Sequence, residues 1–136
     1  MKFNKLIPEL SVSNFEKSLD FYTKVLGFKI EYTRDESKLA MISFQESQII
    51  INEINNRWNT GKLEHPFGRG INFEIEADKI QPILNRLKKN NYPIFVKPKE
   101  NWYRKDNQLF GNKEFLIQDP DGYLLRFAED LGSKPL

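Results

Sequence analysis

The residue that most clearly calls for a chemical explanation is an arginine in an apolar strand near the end of the chain. Arg126 follows the turn sequence Asp119-Pro120-Asp121-Gly122. Alternation along the strand points its side chain to one face and those of Leu125 and Phe127 to the other. Because an unpaired buried cation is costly, Arg126 requires a wet or acid-lined surface. We predict that it pairs with an acidic side chain or binds a carboxylate or amide oxygen of a ligand.

Three glutamates share the predicted strand parity that points away from the core. Any single one is also typical of a solvated open face. As a group they predict an acceptor surface, because carboxylates accept hydrogen bonds from the amine or amide groups of a cationic ligand. The group consists of Glu9, Glu53 and Glu74, with Asn72 beside them.

Three aromatic residues lie in polar sequence that resembles loops. Trp58 follows the first half of the chain, and Trp102 and Tyr103 follow Pro98-Lys99-Glu100-Asn101. Large aromatic side chains are mostly buried, so packing onto the rim of the domain is one interpretation. The other is a stacking wall for a planar ligand, since each aromatic pair gains about 0.5–1.5 kcal/mol beyond burial.

Several kinds of chemistry lack the residues that they need. The chain has no cysteine, which excludes thiol nucleophiles and zinc-thiolate sites and is consistent with a cytoplasmic protein. His65 is the only histidine, so a histidine-based metal site or catalytic triad is incomplete. A net charge of +2 does not indicate nucleic-acid binding. No apolar run approaches the roughly 18 residues of a membrane-spanning helix, and no secretory signal is predicted.

Hydrophobic periodicity predicts two successive modules, each with the order strand, helix and three strands. A capping box at Ser13 and Glu16 starts the first helix, and Asp78 is predicted to cap the second. The segment 98–107 is polar and is predicted as a loop, and a bulge is predicted at 110–112. The predicted strands are 6–12, 28–33, 39–44, 48–54, 70–76, 93–97, 108–117 and 124–129.

Two segments resemble signatures of a known family. Residues 11–28 resemble the first-helix signature of the vicinal oxygen chelate superfamily, and residues 119–123 resemble its C-terminal hairpin signature. That superfamily includes glyoxalase I, fosfomycin-resistance enzymes, extradiol dioxygenases and bleomycin-resistance proteins. The resemblance implies an α+β fold, in which two βαβββ modules form a curved eight-stranded mixed sheet with helices on the outer face. We expect one domain, 1–136, with module 1 at about 5–55, a linker at about 56–69 and module 2 at about 70–130.

The enzymes of this superfamily hold a divalent metal with one side chain on the first and one on the last strand of each repeat. By position, these fall on Ile7, Glu53, Gly70 and Arg126. Isoleucine and glycine offer no lone pair and arginine is a permanent cation, so the resemblance implies no metal and no other cofactor here. A pocket without metal is most similar to the bleomycin-resistance branch, whose members are dimeric binding proteins.

The resemblance therefore predicts that the chain is not an enzyme. It implies a homodimer that binds and sequesters a small, partly aromatic ligand, a bleomycin-type glycopeptide antibiotic. An enzyme of the superfamily with an atypical metal site, a module for another metabolite and a domain for a partner protein stay open as alternatives. The predicted ligand-binding residues are Trp58, Trp102, Tyr103, Glu9, Glu53, Asn72, Glu74 and Arg126.

Overall fold

The computed structural model describes all 136 residues and divides them into two compact units. Unit 1 comprises Met1–Arg69 with Asp119–Tyr123, and unit 2 comprises Gly70–Gln118 with Leu124–Leu136. Each unit contains one four-stranded mixed sheet and the same order of elements. The predicted α+β class with two βαβββ modules is confirmed, and the eight strands are divided between two sheets of four.

Unit 1 packs a short helix against one face of its sheet. Its elements are β1 (Glu9–Val12), α1 (Phe15–Asp20), a π-helical turn (Phe21–Val25), β2 (Lys29–Arg34), a 3-10 turn (Asp35–Ser37), β3 (Leu39–Phe44) and β4 (Ser47–Glu53). The strand order is β1-β4-β3-β2, with β1 parallel to β4 and the other pairs antiparallel. Val12, Leu26 and Ile51 are fully buried in its core.

Helix α1 begins one residue later than the capping box predicts. Asn14 is the N-cap, and its Oδ1 accepts a hydrogen bond from the Lys17 N–H at 3.0 Å. Ser13 instead donates to the turn at Asp119–Tyr123. The predicted capping box of Ser13 and Glu16 is therefore wrong, because a long-range contact takes the serine that local sequence offers to the helix.

The turn Asp119–Tyr123 is held within unit 1 by buried carboxylates. The Asp121 carboxylate accepts the Ser13 N–H at 2.9 Å and the Ser13 hydroxyl at 2.5 Å. The Asp119 carboxylate accepts the Tyr22 hydroxyl at 2.7 Å and two backbone N–H groups of the turn itself at 2.9 Å. Buried polar groups are costly unless they are hydrogen-bonded, so these contacts fix the turn in one arrangement.

Packing around Gly122 leaves no space for a side chain. Its φ is 97°, and a Cβ would lie 2.5 Å from the Cα of Pro66. The neighbouring Phe67 donates its N–H to the Asp121 carbonyl oxygen at 2.8 Å, and its ring meets the Tyr123 ring edge-on at 5.9 Å. Glycine is thus required here by backbone conformation and by close approach together.

Unit 2 repeats the pattern with longer strands. Its elements are β5 (Asn72–Glu76), α2 (Gln81–Lys89), β6 (Val96–Lys105), β7 (Gln108–Gln118) and β8 (Leu124–Pro135). The strand order is β5-β8-β7-β6, with β5 parallel to β8 and the other pairs antiparallel. The rings of Phe115 and Phe127 stack in the core, with their centroids 5.6 Å apart.

Neither α-helix of the protein has the length and apolar character needed to cross a bilayer.

Strand β6 differs from its prediction. It runs through residues that the sequence predicts as a polar loop, and it pairs with β7 without interruption from Lys99 to Lys105. Lysine and proline are typical of edge strands, because they discourage further pairing, and β6 lies at the edge of its sheet. A register shift does occur at Gly111 and Asn112, but the extra residue is in β8, because Gly111 pairs with Gly132 and Asn112 with Asp130. The bulge predicted in β7 is therefore on the neighbouring strand.

Helix α2 is capped from another strand. The predicted cap at Asp78 is wrong, because the N-cap residue is Ile80, whose N–H donates to the Glu129 carboxylate at 2.9 Å. Pro82 lies in the first turn, where its missing N–H costs nothing. Asn90 is the C-cap residue that ends the helix.

We expect Asp119→Asn to change how stability depends on pH. Desolvation by burial raises the pKa of Asp119 from 3.8 to about 6, although its hydrogen bonds to Tyr22 and the turn backbone lower it. A carboxyl group whose pKa is raised on folding contributes to the free energy of unfolding. This contribution is fully present below pH 3.8 and is lost as the pH rises through about 6. The loss is on the order of 3 kcal/mol.

Asparagine imitates the protonated acid, because its Oδ1 can accept the backbone N–H groups and its Nδ2 can donate to the Tyr22 oxygen. In urea denaturation from pH 4 to 7, the stability of Asp119→Asn relative to the natural chain should rise with pH. Asp20→Asn, at an exposed position on α1, is the matched control. A difference between Asp119→Asn and the natural chain that is constant over this range would contradict the argument.

Candidate functional site

A polar cluster covers the face of the unit 2 sheet opposite the core. Leu125 and Phe127 are fully buried on the core side, and Arg126 points the other way, as alternation predicts. Side chains from all four strands of this sheet meet around Arg126. We call this set the Arg126 cluster: Asn72 and Glu74 on β5, Asn101 and Tyr103 on β6, Glu114 on β7 and Arg126 on β8.

Arg126 is bonded to three acceptors within this cluster. Its Nε donates to Asn72 Oδ1 at 3.2 Å, its Nη2 to Glu74 Oε2 at 3.3 Å and its Nη1 to Glu114 Oε2 at 3.4 Å. These distances exceed the roughly 2.7–2.9 Å of strong charge-assisted hydrogen bonds. The contacts use three of the five guanidinium N–H donors. With its side chain 28% exposed, Arg126 keeps donors for a further group.

Glu114 is the buried anchor of the cluster. Its carboxylate accepts the Tyr103 hydroxyl at 2.5 Å and the Asn101 amide at 3.2 Å, in addition to Arg126. The hydrogen bond to Glu114, followed by burial, raises the pKa of the Tyr103 phenol. Sequence reasoning missed this residue. The available signal was one acid two positions before Leu116, which is the partner of Arg126 in β7.

The two aromatic residues of β6 do not form one stacking wall. Trp102 and Tyr103 are neighbours in a strand, so they point to opposite faces of the sheet. Tyr103 is exposed on the side of the Arg126 cluster. The Trp102 ring lies over Gly111, where a Cβ would be 2.6 Å away, and the Lys134 ammonium is 3.9 Å from the ring centroid. The predicted pairing of these two rings is therefore wrong.

Glu53 lies on a different face of the unit 1 sheet from Glu9. Glu9 pairs with Ile50, whereas Glu53 pairs with the buried Val12 on the side of α1. The Glu53 carboxylate accepts the Phe15 N–H at 3.0 Å, which lowers its pKa, and Lys38 contributes further at 3.5 Å. The predicted shared parity fails because a single residue of register decides the face.

Trp58 is the most exposed of the predicted aromatic residues. Its side chain is 83% exposed, and the Arg57 guanidinium lies 5.4 Å from its ring centroid. Its φ is 58°, an uncommon value for a bulky residue. Trp58 belongs to unit 1, in the irregular segment after β4.

The four positions that correspond to metal ligands in the resembled superfamily do not fit a metal. Ile7 and Gly70 have no side-chain atom that can coordinate a metal. The Glu53 carboxylate is already hydrogen-bonded to the Phe15 N–H and to Lys38. Arg126 is a cation already compensated by acids. No group of three or more histidine, cysteine, aspartate or glutamate side chains is arranged to hold a metal ion.

Comparisons with known proteins agree with this fold. The profile of the Glyoxalase/Bleomycin resistance protein/Dioxygenase superfamily matches residues 7–127. A protein of Neisseria meningitidis named lactoylglutathione lyase is 27% identical over 127 residues, which cover 88% of this chain and 86% of the relative. A protein of Escherichia coli O157:H7 with the same name is 25% identical, with coverages of 89% and 88%.

A solved structure extends the likeness to three dimensions. An integron cassette protein from the mobile metagenome of V. cholerae superposes with a TM-score of 0.67 at 19% identity, covering 95% of this chain and 97% of that one. At this identity the likeness shows the fold alone.

The relatives named lactoylglutathione lyase bear directly on catalysis, because that is the name of an enzyme. The prediction that the chain is not an enzyme is therefore wrong.

We expect Glu114→Gln to weaken unit 2 and to lower the pKa of Tyr103. The amide removes the charge that holds Arg126 and the phenol, and hydrogen bonds to a charged group contribute about 1.5–3 kcal/mol. Urea denaturation measures the stability, and NMR of the labelled tyrosine ring carbon measures the pKa. Glu76→Gln, at an exposed position on β5, is the matched control. An unchanged pKa of Tyr103 would show that Glu114 does not hold the phenol.

Proposed function

Since this chain belongs to the Glyoxalase/Bleomycin resistance protein/Dioxygenase superfamily, we propose that it binds a small peptide-like molecule at the Arg126 cluster. One observation supports the proposal above the others. Arg126 and Glu74, a donor and an acceptor, lie side by side and open to solvent on one sheet face. A peptide group carries the complementary acceptor and donor.

The two charged residues differ in how much capacity they retain. Glu74 is 49% exposed, and only one of its carboxylate oxygens contacts Arg126 in a 3.3 Å hydrogen bond. Arg126 keeps two N–H donors that point to none of its three acceptors. An incoming carbonyl or carboxylate would bind Arg126 while an N–H of the same ligand would bind Glu74. Glu114 and Asn72 hold the guanidinium in place during this exchange.

A partly aromatic glycopeptide of the bleomycin type matches this surface. Its amide and amine groups suit Arg126 and Glu74, and the exposed Tyr103 ring on the same face offers a flat apolar contact. Trp102 lies outside this proposed contact, because it is on the other face of β6.

Ligand contacts at Glu9 and Trp58 stay predictions, and so does assembly as a homodimer. Sedimentation at several protein concentrations would test the dimer.

A second function is favoured by the relatives in Neisseria and Escherichia. Their name is that of a lyase acting on lactoylglutathione, a thioester of a carboxylate-bearing tripeptide. Such a molecule carries the same peptide and carboxylate groups that the Arg126 cluster would recognise. Under this proposal the chain would bind lactoylglutathione at Arg126 and Glu74 and convert it.

Calorimetric titration separates these possibilities. The natural chain is titrated with metal-free bleomycin and, separately, with S-lactoylglutathione, and thioester absorbance reports turnover. We expect saturable binding of at least one molecule, and we expect Glu74→Gln to weaken it by about ten- to a hundredfold, the effect of one lost charged hydrogen bond. Arg126→Lys should weaken it as well, because lysine cannot donate in a planar fork.

Glu76→Gln is the matched control for Glu74→Gln, since it removes an exposed acid from the same strand. Binding of neither molecule by the natural chain would reject the proposal. Equal affinities of Glu74→Gln, Arg126→Lys and the natural chain would move the binding site away from the Arg126 cluster.

We expect binding to be insensitive to metal removal. The cation offered to the ligand is Arg126 itself, and it is a permanent part of the chain. Dialysis against a chelator before titration with S-lactoylglutathione should leave the dissociation constant unchanged. A loss of binding that added Zn²⁺ or Ni²⁺ restores would show that a metal carries the interaction.

A further inference from the structure

Unit 1 contains a cavity that has no part in the proposed function. It has a volume of about 300 Å³, at the lower end of the roughly 300–1,000 Å³ typical of ligand pockets. Ser43 and Gln48, paired across β3 and β4, form its floor on the sheet face away from α1. The segment Met1–Asn4 forms one wall, and Glu31 forms the other.

The wall formed by Met1–Asn4 is held in place by Gln48. The Gln48 side chain is almost fully buried. Its amide both accepts from and donates to the backbone of Met1–Asn4, as the backbone of a paired strand would. Its Oε1 accepts the Asn4 N–H at 2.8 Å, and its Nε2 donates to the Lys2 carbonyl oxygen at 2.7 Å. The Asn4 side chain donates to the Glu46 carbonyl oxygen at 2.8 Å. The cavity is therefore built before any ligand arrives.

A β-bulge directs Glu31 into this cavity. Ile30 pairs with Ile42 and Tyr32 with Met41, so Glu31 is the extra residue of β2. Bulges commonly re-aim a side chain beside a functional site. The Glu31 carboxylate accepts the Ser43 hydroxyl at 3.1 Å, and its side chain is 16% exposed.

The charge of Glu31 is weakly compensated. Lys29 lies 3.4 Å away, but its side chain is 76% exposed, and pairs of this kind contribute about 0–1 kcal/mol. An ionised carboxylate has room for about four hydrogen bonds. Here Ser43 donates one, and Lys29 approaches the other carboxylate oxygen as an ion pair. Glu46 and Lys2 also line the cavity, so one further acid and one base border it. The spare acceptor capacity therefore lies on the Glu31 carboxylate, which suits a ligand with a donor group.

We propose that this cavity is a second binding site, specific for a small molecule that carries a primary ammonium group. The ammonium would lie between Glu31 and Ser43, and its carbon chain would extend along Met1–Asn4. The site is separate from the Arg126 cluster, so the failure of either proposal leaves the other standing.

NMR titration of the natural chain with putrescine, at constant ionic strength, tests this proposal. We expect saturable shifts of the Ser43 and Gln48 amides with a dissociation constant on the order of millimolar. Butane-1,4-diol, which has the same carbon chain without charge, should cause none. Glu31→Gln should weaken putrescine binding by about fivefold, as expected for one lost ion pair.

Glu16→Gln, which removes an exposed acid from α1, is the matched control and should bind as the natural chain does. Gln48→Leu should release Met1–Asn4, which would speed hydrogen exchange of the Asn4 amide and weaken putrescine binding. Absence of saturable shifts, or equal binding by Glu31→Gln and the natural chain, would overturn the proposal.

Discussion

The hydrogen bonds that hold the turn Asp119–Tyr123 constrain more of this protein than any other local interaction. This segment lies in the chain between β7 and β8, yet its side chains are satisfied by residues of unit 1. A fixed turn sets the residue at which β8 begins. Because side chains alternate along a strand, the starting residue decides which of them face the core. Leu124 is the first residue of β8, and alternation along the strand places Arg126 on the face opposite to that of Leu125 and Phe127.

The protein stabilises buried acids in two different ways. Asp119 and Asp121 are compensated by hydroxyl and backbone N–H donors, without any cation among their contacts. Glu114 is compensated by a phenol, an amide and the Arg126 guanidinium. An acid whose partners are only hydroxyl and N–H groups is buried in a structural role. An acid whose partner is a partly exposed arginine leaves that arginine with N–H donors for a ligand. This difference is the physical reason to place binding at Arg126 and structure at the turn.

Much of the fold follows from local sequence, but the positions of side chains depend on distant partners. The alternation of Leu125, Arg126 and Phe127 sufficed to predict which of them faces solvent. Ser13 and Asn14 are both good N-cap residues, and the choice between them is made by Asp121, over a hundred positions away. Sequence alone does not contain that choice.

The same limit explains the errors in the candidate site. The segment before Trp102 is charged and contains Pro98, which indicates a loop unless the strand is known to lie at an edge. Glu53 lies on the other face from the predicted one, because its orientation depends on its pairing with Val12 in β1. The proximity of Glu114 to Arg126 depends on the register between β7 and β8, which local sequence does not determine.

The two units show how one arrangement can be adapted by a single charge. Each has an acid on the sheet face away from its helix, Glu31 in unit 1 and Glu114 in unit 2, and each acid accepts a neighbouring hydroxyl. In unit 2 a cross-strand arginine supplies the opposite charge, so the surface offers both donors and acceptors. In unit 1 the acid is paired with an exposed lysine, Lys29, so its carboxylate keeps acceptor capacity. A repeat that preserves the backbone can therefore present surfaces with opposite preferences, because a strand face needs only one substitution to change its charge.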